Sequence, residues 1–350
     1  MKQIIFSILS FAVLTSFYSD APTEKHLKNI KQLTYGGDNA EAYFSFDGKN
    51  LSFQSNYKEW GLECDQIFNM NIKMAMADTG YKPPRISTGK GRTTCSFFMP
   101  KNKTILYAST HERDDKCPIT GDLRKGGKYL WPVFDSYEIY VADLKGNILK
   151  NLTNAPGYDA EATVSPKGDK IVFTSMRSGD LELWTMDIDG KNPKQITNEL
   201  GYDGGAFFSP DGKKLVFRAS RPKTPEEIAE YKTFLADGLV APVAMELFTC
   251  NVDGSDLVQL THLGKANWAP FYHPSGNKII FSSNYASKKG YDFQLYMINT
   301  DGTGLEQITT ESYFNSFAMF SPDGKKLVFS SNRNNHGGHD TNVFIADWKE

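Results

Sequence analysis

The sequence predicts an all-β protein, a six-bladed β-propeller closed by an N-terminal strand in its last blade. Three observations predict it: six copies of one strand-turn-strand pattern, a third strand after each copy, and an early segment shaped like the fourth strands of the other units. The chain has 350 residues, 13% of them aromatic, and 29 glycines, which suits a large core joined by many tight turns.

The copies read EAYFSFDGKNLSFQSN from Glu41, CSFFMPKNKTILYAST from Cys95, EATVSPKGDKIVFTSM from Glu161, GAFFSPDGKKLVFRAS from Gly205, APFYHPSGNKIIFSSN from Ala269 and FAMFSPDGKKLVFSSN from Phe317. Each is a strand, a turn carrying Asp-Gly or a relative that needs positive φ, and a second apolar strand. Third strands follow at Gln66, Glu138, Glu182, Glu246, Gln294 and Asn342, and short fourth strands such as LKNLT to Thr153 and PKQIT to Thr197 end five units. The blade bodies are expected at about 41–87, 93–153, 159–197, 203–261, 267–309 and 315–348. The sixth unit has no fourth strand of its own. Ile30 to Thr34, IKQLT, has the missing pattern and is expected to complete that blade, because a closed ring leaves no long unpaired sheet edge.

These units, SPDGKKLVFSSNRN from Ser321 and EATVSPKGDKIVFTSMRSGDLELWTMDIDGKNPKQIT from Glu161 among them, resemble the WD-repeat-like propeller units of TolB and related exported proteins. The resemblance runs from about Ile30 to Glu350 and implies a binding scaffold of the cell envelope. It leaves no room before Ile30 for the α/β domain that precedes the propeller in TolB itself, so a role in the Tol–Pal system is not part of the expectation.

The chain opens with Met1 and Lys2, an apolar run from Ile4 to Leu14, and small polar residues at Thr15, Ser16 and Ser19. A bilayer needs about 20 helical residues, so this run is read as a signal peptide over 1–19, with 20–350 as a single propeller domain. No cysteine follows it to carry a lipid. The expected location is periplasmic or secreted, with no membrane span and a monomeric state. Lysine plus arginine (39) nearly balances aspartate plus glutamate (41), giving a net charge of −2 and no basic tract, which excludes nucleic acid as a partner.

In a four-stranded blade, the loop into the first strand and the loop from second to third lie on one face. Three insertions occupy second-to-third positions, Asn56 to Glu63, Thr110 to Asp135 and Ser220 to Val243, while the opposite turns read as uniformly tight. The loop-rich face is therefore the expected recognition surface, for an envelope protein, a peptide or a cell-wall fragment. One short helix is predicted in the blade-4 insertion: Thr224 caps it, Pro225 starts it, Glu227 completes a capping box and Gly238 stops it. Its stripe of Ile228, Tyr231, Phe234 and Leu235 suits packing on the blade tops or docking of a partner.

Aligning the repeats gives concentric columns. Asn39, Thr93, Asp159, Asp203, Asn267 and Asn315 are expected at the channel mouth, where they could converge on a ligand, or serve their own turns by bonding local backbone. Tyr57, His111, Arg177, Arg221, Tyr285 and Arg333 follow the second strands and suit carboxylate or aromatic contacts. Alternatively, arginines such as Arg177 pair with carboxylates such as Glu182 and fasten blades. Glu161 heads a first strand beside the same mouth.

No cofactor is expected. A divalent metal held by His111, His336 and His339 is the alternative, since the residue types suit one although their spacing matches no metal signature. Propeller lyases acting on pectin fragments resemble the chain distantly, making metal-assisted carbohydrate lyase or hydrolase chemistry at the mouth the enzymatic alternative. No catalytic residues are assigned, and no G-x-S-x-G elbow occurs. Cys64, Cys95 and Cys117 are disulfide candidates: a Cys95–Cys117 bridge would pin the blade-2 loop, and Cys64 is an equally reachable partner for either. Cys250 reads as a small buried residue.

Overall fold

The computed structural model describes residues 24–335 and 338–350, so the predicted signal peptide over 1–19 and His336 lie outside the described residues. Six antiparallel sheets surround a central channel, each with its first strand innermost. The inner strands are Asn39–Phe44, Thr93–Phe98, Asp159–Val164, Asp203–Phe208, Asn267–Tyr272 and Asn315–Phe320. The second strands, such as Lys170–Ser175 and Lys326–Ser331, are buried almost throughout, because neighbouring blades cover both faces. That is why they read as continuous apolar runs. On the far face Gly168, Gly212 and Gly324 take φ of +70°, +71° and +70°, as the Ser-Pro-x-Gly turns require.

The ring closes as the repeats imply. Leu27–Gln32 pairs antiparallel with Asn342–Trp348, and Leu33 N–H continues the ladder to Val343 O at 2.8 Å. The strand begins earlier than Ile30 because the register shifts between Lys28 and Lys31, at Asn29 with φ +51°, letting Leu27 reach Trp348.

Every blade carries the same internal latch. A fourth-strand hydroxyl, Thr153, Thr197, Thr261, Thr309 or Thr34, accepts from a third-strand N–H and donates to Glu138, Glu182, Glu246, Gln294 or Asn342. Ser87 does the same for Gln66 in blade 1. The column of third-strand acids and amides is thus explained by blade construction.

One helix meets the expectation and a second does not. The blade-4 helix forms at Pro225–Ala236, with both halves of the Thr224–Glu227 capping box in place. A second helix, Ile72–Ala77, is capped by Asn71 and follows the third strand of blade 1. It lies on the face where all turns read as tight, so one extended segment departs from the loop-rich side. Ile72 and Ala75 are buried in the core while Met74 and Met76 are exposed. Blade 1 accordingly has three regular strands, its edge completed by Arg85 bridging to Phe68.

Candidate functional site

On the loop-bearing face the insertions of blades 2 and 4 meet across the channel mouth. Trp131–Pro132 pairs with Leu239–Val240 as a two-stranded ribbon, extended by Val133 N–H to Gly238 O at 2.7 Å. The Pro225–Ala236 helix braces it. Tyr231 and Leu235 pack against the cluster containing Val133, Tyr202 and Val240; Tyr231 Oη donates to Asp180, and Lys128 pairs with Glu230. The helical stripe therefore packs onto the blades. Trp131 stacks on Trp268 at 5.0 Å, and Trp268 on Phe293 at 4.4 Å, carrying the roof to blade 5. Cys117, in the blade-2 insertion, is bonded to Cys64 of blade 1 with Cα atoms 5.8 Å apart. Cys95 is free, which settles the pairing that spacing left open.

Beneath this roof lies a cavity of about 300 Å3. Its floor is one column of the repeat: Glu41, Cys95, Glu161, Gly205, Ala269 and Phe317. Each sits at a bulge in its inner strand with φ between +49° and +61°, so the local backbone is the same six times over. Only the side chains differ. Blades 1 to 3 contribute two carboxyls and a thiol, whereas blades 4 to 6 contribute a glycine, a methyl and a phenyl ring.

Arg218 reaches this floor from the second strand of blade 4. It pairs with Glu161 across the blade boundary, and both side chains are nearly inaccessible. Two glycines leave the pair its room: a Cβ on Gly205 would crowd Arg218 Nη1 and one on Gly204 would crowd Glu161 Oε2, so those side-chain ends would have to shift. Glu161 also accepts from Thr174 Oγ1 at 2.7 Å, Tyr202 Oη at 2.9 Å and Gly205 N–H at 3.0 Å. Burial raises its pKa, but the Arg218 charge and these donors outweigh burial and hold it below the ordinary range. The guanidinium lies over Trp131 at 5.4 Å and Tyr202 at 4.8 Å.

Glu41 is treated differently. Its Oε2 is buried without a hydrogen-bond partner, and burial pushes its pKa up to about 7, with the Cys95 thiol donating to it and Glu161 repelling it. Arg218 Nε, Arg92 Nε and Trp268 Nε1 are likewise buried and unpartnered around the cavity. Burial and the neighbouring carboxylates raise the pKa of Cys95 well above the usual thiol value, leaving it a protonated donor.

The outer columns are used elsewhere. Asn39, Thr93, Asp159, Asp203, Asn267 and Asn315 are each no more than 1% exposed and sit at the blade junctions, with Thr93 alone among them also lining the cavity. Asn267 Nδ2 donates to Glu246 of the preceding blade at 3.2 Å, Asn315 Nδ2 to Gln294 at 2.9 Å and Asn39 Nδ2 to Asn342 at 3.3 Å. Thr93 Oγ1 donates to Asp65 O. Where this column holds aspartate it cannot donate, and an arginine answers. Arg177 donates to Asp159 at 2.7 Å, and Arg221 pairs with Asp203. Arg177 therefore pairs within its own blade, with Asp159 of the inner strand and not with Glu182. Burial raises Asp159 to about 7, Asp203 to about 6 and Glu182 to about 8, against the pull of the arginines on Asp159 and Asp203.

Arg333 is held by Asn315 and the Glu24 carboxylate. His111 Nδ1 lies 2.9 Å from Ser109 Oγ with its ring on Tyr140, and burial lowers its pKa. Tyr57 Oη donates to Glu59, and Tyr285 is 44% exposed with its ring edge on Tyr296. His339 is exposed in blade 6, with blade 1 between it and His111. Among the described residues no three His, Cys, Asp or Glu side chains are grouped to hold a metal ion.

Of the residues singled out in the sequence columns, Glu161 and Thr93 line the cavity, and the other members of the two outer rings do not. The columns missed Glu41, Arg218, Trp131 and Trp268. A signal for the first two existed: the inner-strand column changes character from blade to blade, and Arg218 stands where blades 2, 3, 5 and 6 have Ala108, Thr174, Ser282 and Ser330.

A family profile for the TolB beta propeller domain matches residues 135–246. The fold is shared with a putative TolB from Agrobacterium tumefaciens, at 20% identity and TM-score 0.59 over 90% of this chain and 91% of that one. TolB from Acinetobacter baumannii matches at 17% identity and TM-score 0.55 over 90% of this chain and 64% of that longer one. An oligogalacturonate lyase in complex with manganese matches at 13% identity and TM-score 0.52, over 92% and 93% of the two chains. No curated protein matches in sequence.

Proposed function

We propose, from the premise that this chain is a six-bladed β-propeller of the TolB-like kind, that it is an exported, monomeric binding scaffold whose ligand sits in the roofed channel mouth. The ligand class is a peptide, a segment of an envelope protein or a cell-wall fragment. The observation that carries this reading is the roofed cavity, where Glu41 Oε2 of the inner column and Arg218 Nε and Trp268 Nε1 beside it are buried without hydrogen-bond partners. Buried polar groups are nearly always satisfied within a folded chain, so unpaired ones facing a cavity point to a ligand that completes them. Export is supported by the apolar run from Ile4 to Leu14, and no helix among the described residues is long and apolar enough to cross a membrane.

Filling the cavity tests the reading. Ala269→Phe fits the backbone, since Phe317 occupies the same left-handed position in the next blade. Native mass spectrometry after incubation with soluble envelope peptides and cell-wall fragments should show an adduct on the wild type and none on Ala269→Phe at unchanged melting temperature. Equal retention by both proteins would place the ligand elsewhere. Oligogalacturonide with Mn2+ provides the enzymatic control: unsaturated product from the wild type, lost in Ala269→Phe, would replace the scaffold reading by a lyase.

A further inference from the structure

We infer that the channel-mouth cavity takes a small organic cation, an alkylammonium carried on an apolar group, with the Glu41 carboxylate as its counter-ion and aromatic rings as its wall. This rests on the channel-mouth reading and adds the charge and shape of the ligand.

Five charged side chains line the cavity: Glu41, Asp65, Glu161, Arg92 and Arg218. Four of them form two pairs. Arg218 is bound to Glu161, and Arg92 Nε stands 3.8 Å from Asp65. Each guanidinium is therefore already balanced by a carboxylate. Glu41 has no cation of its own, and its neighbour Cys95 supplies a neutral thiol hydrogen. Tyr43 and Tyr137 face the same carboxyl and stay neutral, their pKa values raised well above the usual phenol by burial. The surroundings thus lack one positive charge whenever Glu41 ionises.

The walls favour an organic cation over a hard metal ion. Tyr43, Trp131, Tyr158 and Trp268 line the cavity and make its wall aromatic, while Ala269 and Phe317 make the blade-5 and blade-6 part of the floor apolar. An ammonium against Glu41 with its apolar body toward Phe317 would match both halves of the ring. An anion would meet three carboxyl groups, with each guanidinium already beside one of them and only Nε–H groups left to donate.

A proton linkage follows. The Glu41 carboxyl titrates near 7 through burial and repulsion from Glu161 and Asp65, partly offset by Cys95 and Arg218. A cation binds the ionised form, so binding below pH 7 must expel a proton and affinity falls as pH falls. Alkylammonium groups, with pKa near ~10, stay charged throughout.

The test uses benzylamine, benzoate and benzyl alcohol as probes, by titration calorimetry on the whole mature protein. Benzylamine should bind about 30-fold more tightly at pH 8 than at pH 5.5, the ratio of ionised Glu41 at those values. It should release a proton near pH 6.5, seen by repeating the titration in buffers of different ionisation enthalpy. Glu41→Gln should weaken it at least about tenfold at pH 8. Undiminished binding in Glu41→Gln, or a flat pH profile, overturns the inference, and the wild-type profile serves alone if that variant misfolds. Preferential binding of benzoate or benzyl alcohol that Ala269→Phe abolishes overturns the cation and leaves the channel-mouth reading standing. Binding of none of the three also overturns the cation, while the envelope-adduct experiment decides the wider reading separately.

Discussion

Two rings of this propeller lie two residues apart on the same six strands and do opposite work. At the blade junctions, Asn39, Thr93, Asp159, Asp203, Asn267 and Asn315 are polar in every copy, and each makes at least one hydrogen bond across or within its junction. Two positions on, Glu41, Cys95, Glu161, Gly205, Ala269 and Phe317 share one backbone conformation and no chemistry. A column that keeps its character in every blade serves the repeat. A column that abandons it while the backbone stays fixed marks a place where the blades have been used for different ends.

Substitutions that exchange these roles would break the comparison. The largest effect is expected at Arg218→Met, which leaves Glu161 buried without its counter-ion; urea unfolding should show a loss of about 3–5 kcal/mol. An unchanged midpoint would mean that water reaches the inner ring freely. Removing a latch comes next. Asn315→Ala forfeits bonds to Gln294 and Glu311 O and should cost about 1–3 kcal/mol by the same measurement.

Glu41→Gln sharpens the contrast because its sign depends on pH. The folded pKa is raised to about 7 from 4.5, so the folded state of the wild type binds the extra proton. Its contribution is intact below about pH 4.5 and lost as pH rises through 7. Glutamine has no charge to bury, so the variant should match the wild type at pH 4 and exceed it by up to about 3 kcal/mol at pH 8, the rise of the folded pKa converted at about 1.4 kcal/mol per unit. A variant less stable than wild type at pH 8 would show that Glu41 is paired. The smallest effect is at the roof: Thr224→Ala removes a cap bond to Glu227 N–H and should cost about 1 kcal/mol locally, seen as faster amide exchange in 225–236.

Six-fold sheet geometry was legible because strand, turn and strand recur with glycine where φ must be positive, and because IKQLT at Ile30 has no partner except the last blade. The Thr224 helix was legible from its cap. The Ile72–Ala77 helix was not, since blade 1 lacks the tight turn of its siblings and the replacement carries no apolar stripe long enough to mark it. The sequence leaves the junction column between a channel lining and side chains that bond their own turns, and Asn39, Asn267 and Asn315 do bond the turns before them; alternation along a strand gives the face a residue shares, but not which bulge rotates it inward or outward. Trp131 and Val240 could not be joined from sequence, as the ribbon they form links loops more than a hundred residues apart.

Two substitutions on one strand test the division of labour most directly: Asn39→Ala and Glu41→Gln, each scored at pH 8 for unfolding midpoint and benzylamine affinity. Asn39→Ala should melt earlier yet hold benzylamine as the wild type does, while Glu41→Gln should keep or raise its midpoint and lose the ligand. Ligand loss in Asn39→Ala with Glu41→Gln binding normally would contradict that division.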